Sequence, residues 1–261
     1  MAESTHALDH DGYCDRVAEE ITRFAGTLGR LDAGTPVPSC PDWTAKDLAT
    51  HLGMIHRWVD RTVADQSPDP LEFTQFGRDL PEDWSDYGAW VAAMAEPLSR
   101  TLREADLDGP AWSFTDDRTA GFWPRRMVHE TTVHRVDAEL AAGDRPRVDP
   151  EVAVDGIDEL LHLLHHGHPF RDQPADLRGN GETIHLHATD VDVHWLITLA
   201  PTGHGWEHLG ADPERPASAT VRGPAGDLHL LQYNRLLDHG DALDRTGDRD
   251  VLADWLRRSA L

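Results

Sequence analysis

Three side chains on two predicted helices have the chemistry and spacing to bind a metal ion: His51, Glu130 and His134. Glu130 and His134 are four positions apart, so they lie one above the other on the same face of a helix. They share that face with Met127 and Ala138, at positions where a core-facing helix carries apolar residues. This pattern places a carboxylate and an imidazole together inside the predicted fold.

His51 lies on the apolar stripe of a different predicted helix. The stripe consists of Leu48, Leu52, Ile55, Val59 and Val63. Unpaired polar groups are costly in a bundle core, and helical bundles build metal sites from inward Glu and His side chains. Two histidines and one carboxylate also leave coordination positions open, as a catalytic zinc site requires. The alternative is a set of core polar contacts, in which His51 binds a carbonyl group and Glu130 pairs with His134 or an arginine.

The segment His129–His134 is similar to the zinc-protease motif HExxH but has one additional residue. Its two histidines are five positions apart, which separates them by about 140° around a helix of 3.6 residues per turn. They cannot face one metal as the HExxH pair does, so that class of site is excluded.

The elements that would position these residues are helices in the first half of the chain. Apolar spacing predicts helices over about 13–31, from Thr44 onward, over about 91–105 with a kink at Pro97, and over 124–142. Thr44 and Asp47 resemble a capping box. Four amphipathic helices of this kind predict an antiparallel four-helix bundle.

The second half of the chain changes to a mixture of helices and strands, which predicts a small α+β domain. The polar stretch around Pro146 predicts a boundary between domains 1–146 and 147–261. The predicted elements are a helix over 151–166, a hairpin of strands 184–188 and 193–199, a strand over 217–221, and helices over 225–238 and 250–258. The predicted fold class is therefore α+β, mainly α.

Composition restricts the possible partners. The net charge of −23 argues against nucleic acids and anionic membranes, which attract basic surfaces. No apolar run is long enough to span a membrane, and residues 1–11 lack the features of a secretory signal, so we expect a cytoplasmic protein. Cys14 and Cys40 are isolated and form neither a disulfide framework nor a zinc-finger pattern.

Other histidines receive weaker interpretations. His185 and His187 share one face of a strand and could bind metal, although most such pairs are only the polar face of the strand. His56 is one turn beyond His51 and could act as a nearby base, but a partly exposed histidine beside Trp58 is the favoured interpretation.

Two segments carry a resemblance to a known family: VPSCPDWTAKDLATHLGMIHRWV at residues 37–59 and HETTVHRVDAE at residues 129–139. With residues 219–256 they resemble the mycothiol-dependent maleylpyruvate isomerase family, which has a DinB-like four-helix bundle and a C-terminal domain. The resemblance implies a metal site formed by His51, Glu130 and His134, with zinc or another divalent metal and mycothiol as cofactors.

The resemblance also implies a role for Arg235 in activity, in binding a carboxylate of the substrate or of the thiol. Many relatives have a Trp-Gly pair before this arginine, where this chain has Tyr233 and Asn234. Because of this difference, the family pattern does not define the shape of the pocket around Arg235 in this chain, and hence it does not define the substrate. The alternative for Arg235 is a surface or interdomain salt bridge.

The expected function is a zinc-dependent enzyme that activates a small-molecule thiol, which then attacks an electrophilic small-molecule substrate. The reaction would be isomerisation of maleylpyruvate or transfer of sulfur to another electrophile. Two alternatives remain open from the sequence. One is a hydrolase whose metal activates water, and the other is a metal-binding protein without catalytic activity.

Overall fold

The computed structural model describes residues 8–165, 177–210, 213, 215–236 and 242–260. The chain divides into two compact units, Leu8–Pro146 and Arg147–Leu261. No helix in the described ranges is both long enough and apolar enough to cross a membrane.

The first unit is built from helices. They are α1 (His10–Leu28), α2 (Ala45–Ala64), α3 (Tyr87–Ala92), α4 (Ala95–Glu104) and α5 (Phe122–Ala141). Helix α1 packs against α5, α4 and α3, and α2 packs against α4, α5 and α3. Helices α3 and α4 together occupy the third position of a four-helix bundle. The predicted bundle is thereby confirmed.

The break in the third helix is not at the predicted place. The helix ends at Ala92 and resumes at Ala95, whereas the sequence predicts a kink at Pro97. Pro97 lies in the first turn of α4, where a backbone N–H has no intrahelical partner and its absence costs little. The proline therefore marks the start of a new helix.

A capping box begins α2. The hydroxyl of Thr44 accepts a hydrogen bond from the backbone N–H of Asp47, and the Asp47 carboxylate accepts one from the N–H of Thr44 at 2.9 Å. This reciprocal pair fixes the first turn of α2. His51 lies seven residues, about two turns, beyond Thr44. The cap thus sets the position from which His51 projects.

Helix α5 has no exposed residue, although many of its side chains are polar. Arg135, 1% exposed, donates from Nε to Glu20 of α1 and from Nη1 to Glu139 at 2.7 Å. Glu20, 2% exposed, also accepts from Arg23 at 3.0 Å. A buried charge without a partner is strongly destabilising, so these contacts tie α5 to α1.

The second unit is a sheet with helices. Its elements are α6 (Pro150–Leu163), β1 (Glu182–Ala188), β2 (Val193–Ala200), β3 (Gly203–His208), β4 (Ala219–Gly223), α7 (Ala225–Gln232), β5 (Asp244–Gly247) and α8 (Arg249–Ser259). The strand order is β3-β2-β1-β4-β5. Strands β1 and β4 are parallel, and the other neighbouring pairs are antiparallel. The prediction of an α+β fold that is mainly α is confirmed.

The two faces of this sheet differ in chemistry. Trp195 is on the face that packs against α6, where its indole N–H donates to Asp158 at 2.6 Å. Ile184 and Leu186 of β1 share this face and are fully buried. His185 and His187 alternate with them and therefore lie on the opposite face.

The predicted hairpin of β1 and β2 is confirmed, whereas β3 and β5 were missed. Both missed strands lack an apolar alternation, since their sequences are GHGWEH and DRTG. Helix α7 ends at Gln232, earlier than the predicted Asp238, because Asn234 has a left-handed φ of 57°. The predicted ends at His166 and Asp238 both lie outside the described residues.

Replacing Thr44 with Ala removes one half of the capping box. We expect the free energy of unfolding to fall by about 1 kcal/mol, because the N–H of Asp47 loses its acceptor. Urea denaturation measures this change. Thr44→Ser keeps the hydroxyl and serves as the control. Equal stability of the Ala and wild-type proteins would contradict this role.

Candidate functional site

The structure brings His51, Glu130 and His134 together. His51 comes from α2, and Glu130 and His134 come from α5. The Nε2 atoms of His51 and His134 each lie 3.3 Å from the same carboxylate oxygen, Oε1 of Glu130. The possible ligand atoms of the three residues all lie within 4.8 Å of one another.

These separations match the geometry of a tetrahedral metal ion. Ligand atoms about 2.0–2.1 Å from zinc, at the corners of a tetrahedron, lie about 3.3 Å from each other. The side chains of His51, Glu130 and His134 are 20%, 22% and 11% exposed, so the group is reached from one side. The three donors could hold a metal ion and leave the remaining positions for an exogenous ligand.

A buried arginine fixes the second oxygen of Glu130. Arg126, four residues earlier on α5, donates from Nη2 to Oε2 at 3.2 Å. Oε1 then remains directed at the two imidazoles. Burial opposes ionisation of Glu130, but its hydrogen bonds with His134 and His51 and the nearby charge of Arg126 hold its pKa well below the usual value. Glu130 is therefore an anion at neutral pH.

A buried carboxylate orients His134. The Nδ1 atom of His134 lies 2.9 Å from Oδ2 of Asp137, which is inaccessible to solvent. Asp137 also accepts hydrogen bonds from the hydroxyl of Ser39 and from the thiol of Cys40. With Nδ1 engaged, the ring presents Nε2 to Glu130. Burial lowers the pKa of His134, but the contacts with Asp137 and Glu130 outweigh it and raise the pKa to about 9.

An indole ring packs against both imidazoles. The ring of Trp43 lies 4.9 Å from that of His51 and 6.0 Å from that of His134, measured between centroids. Asp42 immediately before it has a left-handed φ of 71°, which is part of the turn that places the indole. The ring restricts the rotamers of the two histidines.

Sequence reasoning missed Asp137 and Trp43, and it anticipated an arginine partner for Glu130 without naming Arg126. Asp137 and Arg126 follow the helical repeat, since Asp137 is three residues after His134 and Arg126 is four before Glu130. That spacing is a usable signal, because ligating histidines commonly engage a carboxylate through their second nitrogen. Trp43 lies in the loop before α2, where spacing gives no indication of contact.

Residues 14–139 match the Mycothiol maleylpyruvate isomerase N-terminal domain, and residues 151–254 match the MDMPI C-terminal domain. These two matches account for most of the chain. The chain belongs to the mycothiol-dependent maleylpyruvate isomerase family.

Solved structures agree on the fold. A crystal structure of the mycothiol-dependent maleylpyruvate isomerase is similar, with a TM-score of 0.62 and 12% identity, over 92% of this chain and 93% of that chain. A crystal structure of a histidine-to-alanine variant gives a TM-score of 0.61 and 11% identity over the same shares. No protein with a curated description matches the sequence. Membership of the family supports the prediction of an enzyme of this kind.

Two other histidines of the bundle, His129 and His56, do not join the group formed by His51, Glu130 and His134. His129 is fully buried and belongs to none of the potential metal-binding groups among the described residues. His56 is also fully buried, so the favoured interpretation as a partly exposed histidine was wrong. Its Nε2 lies 3.0 Å from the hydroxyl of Thr131, and burial lowers its pKa to about 3. A histidine that is neutral and enclosed in this way is a poor proton acceptor.

Arg235 lies in the second unit of the chain. It is 7% exposed, and its Nη1 donates to the backbone carbonyl of Tyr233 at 2.7 Å. It directly follows Asn234, whose left-handed backbone ends α7. Its role in binding stays a prediction.

The buried His56 makes stability depend on pH. Its ordinary pKa of 6.5 applies to the unfolded chain and about 3 to the folded one. Between these values only the unfolded chain takes up the proton, so the free energy of unfolding falls as the pH is lowered. The slope from this residue is about 1.4 kcal/mol per pH unit.

Urea denaturation between pH 7 and pH 4.5 measures this slope in the wild type and in His56→Asn. We expect a shallower slope in the variant. The comparison cancels contributions common to both proteins, such as that of His204, whose pKa burial lowers to about 4. His10→Asn is a control outside the core. Parallel slopes in the wild type and His56→Asn would contradict the assignment.

Proposed function

We propose that His51, Glu130 and His134 hold one divalent metal ion, and that the protein uses it to activate a small-molecule thiol. The observation that carries this proposal is the approach of two imidazole nitrogens to one carboxylate oxygen, each at 3.3 Å. We assign zinc as the metal and mycothiol as the thiol. The reaction is isomerisation of maleylpyruvate or transfer of sulfur to an electrophile.

The donor set fits zinc. Two imidazoles and a carboxylate are ligands of catalytic zinc sites, which keep an open position for water or substrate. The surrounding residues also fit, because Asp137 engages the second nitrogen of His134 and Arg126 holds the second oxygen of Glu130. Such outer contacts fix ligand orientation at metal sites.

A divalent ion at this position supplies one chemical effect, the lowering of the pKa of a bound thiol or water. The protein's own residues supply orientation. Glu130 contributes negative charge, Asp137 fixes the ring of His134, and Trp43 limits the volume beside both imidazoles. Arg235 would recognise a carboxylate of the substrate, since a guanidinium forms two parallel hydrogen bonds with a carboxylate.

Membership of the family favours a thiol over water as the activated group. The same donor set could serve a hydrolase, and tight metal binding without turnover would describe a non-catalytic protein. No contact among the described residues favours either alternative. Activity assays with and without mycothiol separate the three functions, because only the proposed enzyme requires the thiol for turnover.

His51→Ala removes one of the three ligands. We expect the total metal content to fall by about one ion per chain, with loss of mycothiol-dependent activity, because two remaining donors hold zinc poorly. Elemental analysis and an assay with maleylpyruvate and other electrophiles measure both. His10→Ala, in the same unit, is the matched control. Full activity of His51→Ala would refute the proposal.

Asp137→Asn keeps the shape of the side chain but removes its charge. We expect zinc affinity at the triad to fall by about 10–100-fold, because His134 loses the carboxylate that orients it. Competition with a chromophoric chelator measures this affinity. Asp60→Asn is the control, since Asp60 accepts a hydrogen bond from Thr101 within the same bundle. Unchanged affinity in Asp137→Asn would show that His134 is oriented by other contacts.

A further inference from the structure

The β1–β2 hairpin carries another group of side chains that could hold a metal ion. His187 of β1 is directly opposite His194 of β2, and Asp192 is in the turn that joins the strands. The possible ligand atoms of these three residues all lie within 4.8 Å of one another. The pair His185 and His187 was visible in the sequence, but the fold supplies His194 and Asp192.

The distances from the imidazole nitrogens to the carboxylate oxygen are similar to those in the triad of the bundle. The Nε2 atoms of His187 and His194 lie 3.4 Å and 3.3 Å from the same oxygen, Oδ1 of Asp192. Ligand atoms at the corners of a tetrahedron around zinc are about 3.3 Å apart. Both distances are longer than the usual 2.9–3.0 Å of an N–H···O hydrogen bond, by about 0.3–0.5 Å. They are compatible with a shared ion, although the contact between His194 and Asp192 also lies within hydrogen-bond range.

The arrangement of the rings also points to a cation. The rings of His187 and His194 stack with centroids 3.8 Å apart and an interplanar angle of 17°. Asp192 is 89% exposed, and an ion pair with so exposed a carboxylate contributes little to stability. A bound cation accounts for the convergence of all three groups.

A third histidine, His185, orients the ring of His194. The Nε2 atom of His185 lies 3.0 Å from Nδ1 of His194, and both residues are 7% exposed. When Nδ1 of His194 donates to His185, the lone pair of its Nε2 is directed toward Asp192. Engagement of the second ring nitrogen is typical of metal-binding histidines. The exposed Asp192 leaves a path for the ion from solvent.

One neighbouring charge opposes a cation. Arg222 of β4 is opposite His187 in the parallel register, so its guanidinium is on the same face of the sheet. Its side chain is exposed, which weakens the repulsion by solvent screening. The bundle triad has both the guanidinium of Arg126 and the buried carboxylate of Asp137 as neighbours. We expect weaker binding at the hairpin than at the triad because Asp192 is 89% exposed and, among the described residues, no buried carboxylate like Asp137 contacts either of its histidine ligands.

We propose that His187, Asp192 and His194 form a second site for a divalent transition-metal ion of the zinc class, with His185 orienting His194. The ion would join the turn to both strands of the hairpin. Because it would bind the folded hairpin, it would stabilise the second unit by an amount that grows with the logarithm of its concentration above the dissociation constant. The proposal concerns residues outside the bundle and does not depend on the thiol chemistry.

The test uses the full chain with Co²⁺ and Zn²⁺ as probes. We expect about two ions per chain in the wild type and about one in His51→Ala, which retains the hairpin site. In the His51→Ala background, Co²⁺ should produce the visible absorption of a four- or five-coordinate nitrogen and oxygen site. Adding Asp192→Asn should weaken that binding by about tenfold or more. Asn tolerates the left-handed φ of 53° at this position, so the turn is preserved.

Two further variants separate a metal site from a structural role. Arg222→Gln should tighten binding at the hairpin, since it removes the opposing charge. His204→Gln, on the neighbouring strand β3 with its ring bonded to the Leu161 carbonyl, should leave binding unchanged. The proposal is overturned if the wild type binds one ion that His51→Ala abolishes. Binding in the His51→Ala background that is unaffected by Asp192→Asn would overturn it as well.

Discussion

Helix α5 must place charged and polar side chains where almost no solvent reaches them, and this constraint organises the bundle. A buried charge without a partner costs more than most single contacts contribute, so each such side chain on α5 needs a specific neighbour. Arg135 is matched by Glu20 and Glu139. Glu130 is matched by Arg126 and two histidines. The polar network thus determines how α5 contacts α1 and α2, and it leaves one carboxylate oxygen facing two imidazoles.

The two proposed metal sites reach similar geometry from different scaffolds. In the bundle, ligands one helical turn apart on α5 meet a histidine from a second helix. In the sheet, a cross-strand pair of histidines meets an aspartate from the connecting turn. The surroundings differ more than the ligands do. The bundle site has buried outer contacts on two of its ligands. The hairpin carboxylate is open to solvent, and Arg222 lies opposite the ligand His187 across the sheet.

Family membership and local geometry contribute different parts of the functional argument. The matched domains assign the family, and the similar crystal structures, at 11–12% identity, support the shared fold. The choice of residues rests on contacts within this chain. His51, Glu130 and His134 were selected from helical spacing and apolar stripes, and the distances from Glu130 to the two imidazole nitrogens are compatible with a tetrahedral ion. The thiol rests on the family alone, because no described contact distinguishes a thiol from water as the exogenous ligand.

Local sequence determined the helices of the bundle, the capping box at Thr44, the β1–β2 hairpin and the face that Glu130 shares with His134, because these depend on residues a few positions apart. The strands β3 and β5 escaped detection, since neighbours in the sheet and not their own alternation hold them in place. Only the tertiary structure decided that Asp137 accepts hydrogen bonds from Ser39 and Cys40, which lie in a distant loop. It also decided that His56 is enclosed. Such contacts between residues far apart in the chain arise from packing, and the spacing of residues along the sequence does not predict which of them meet.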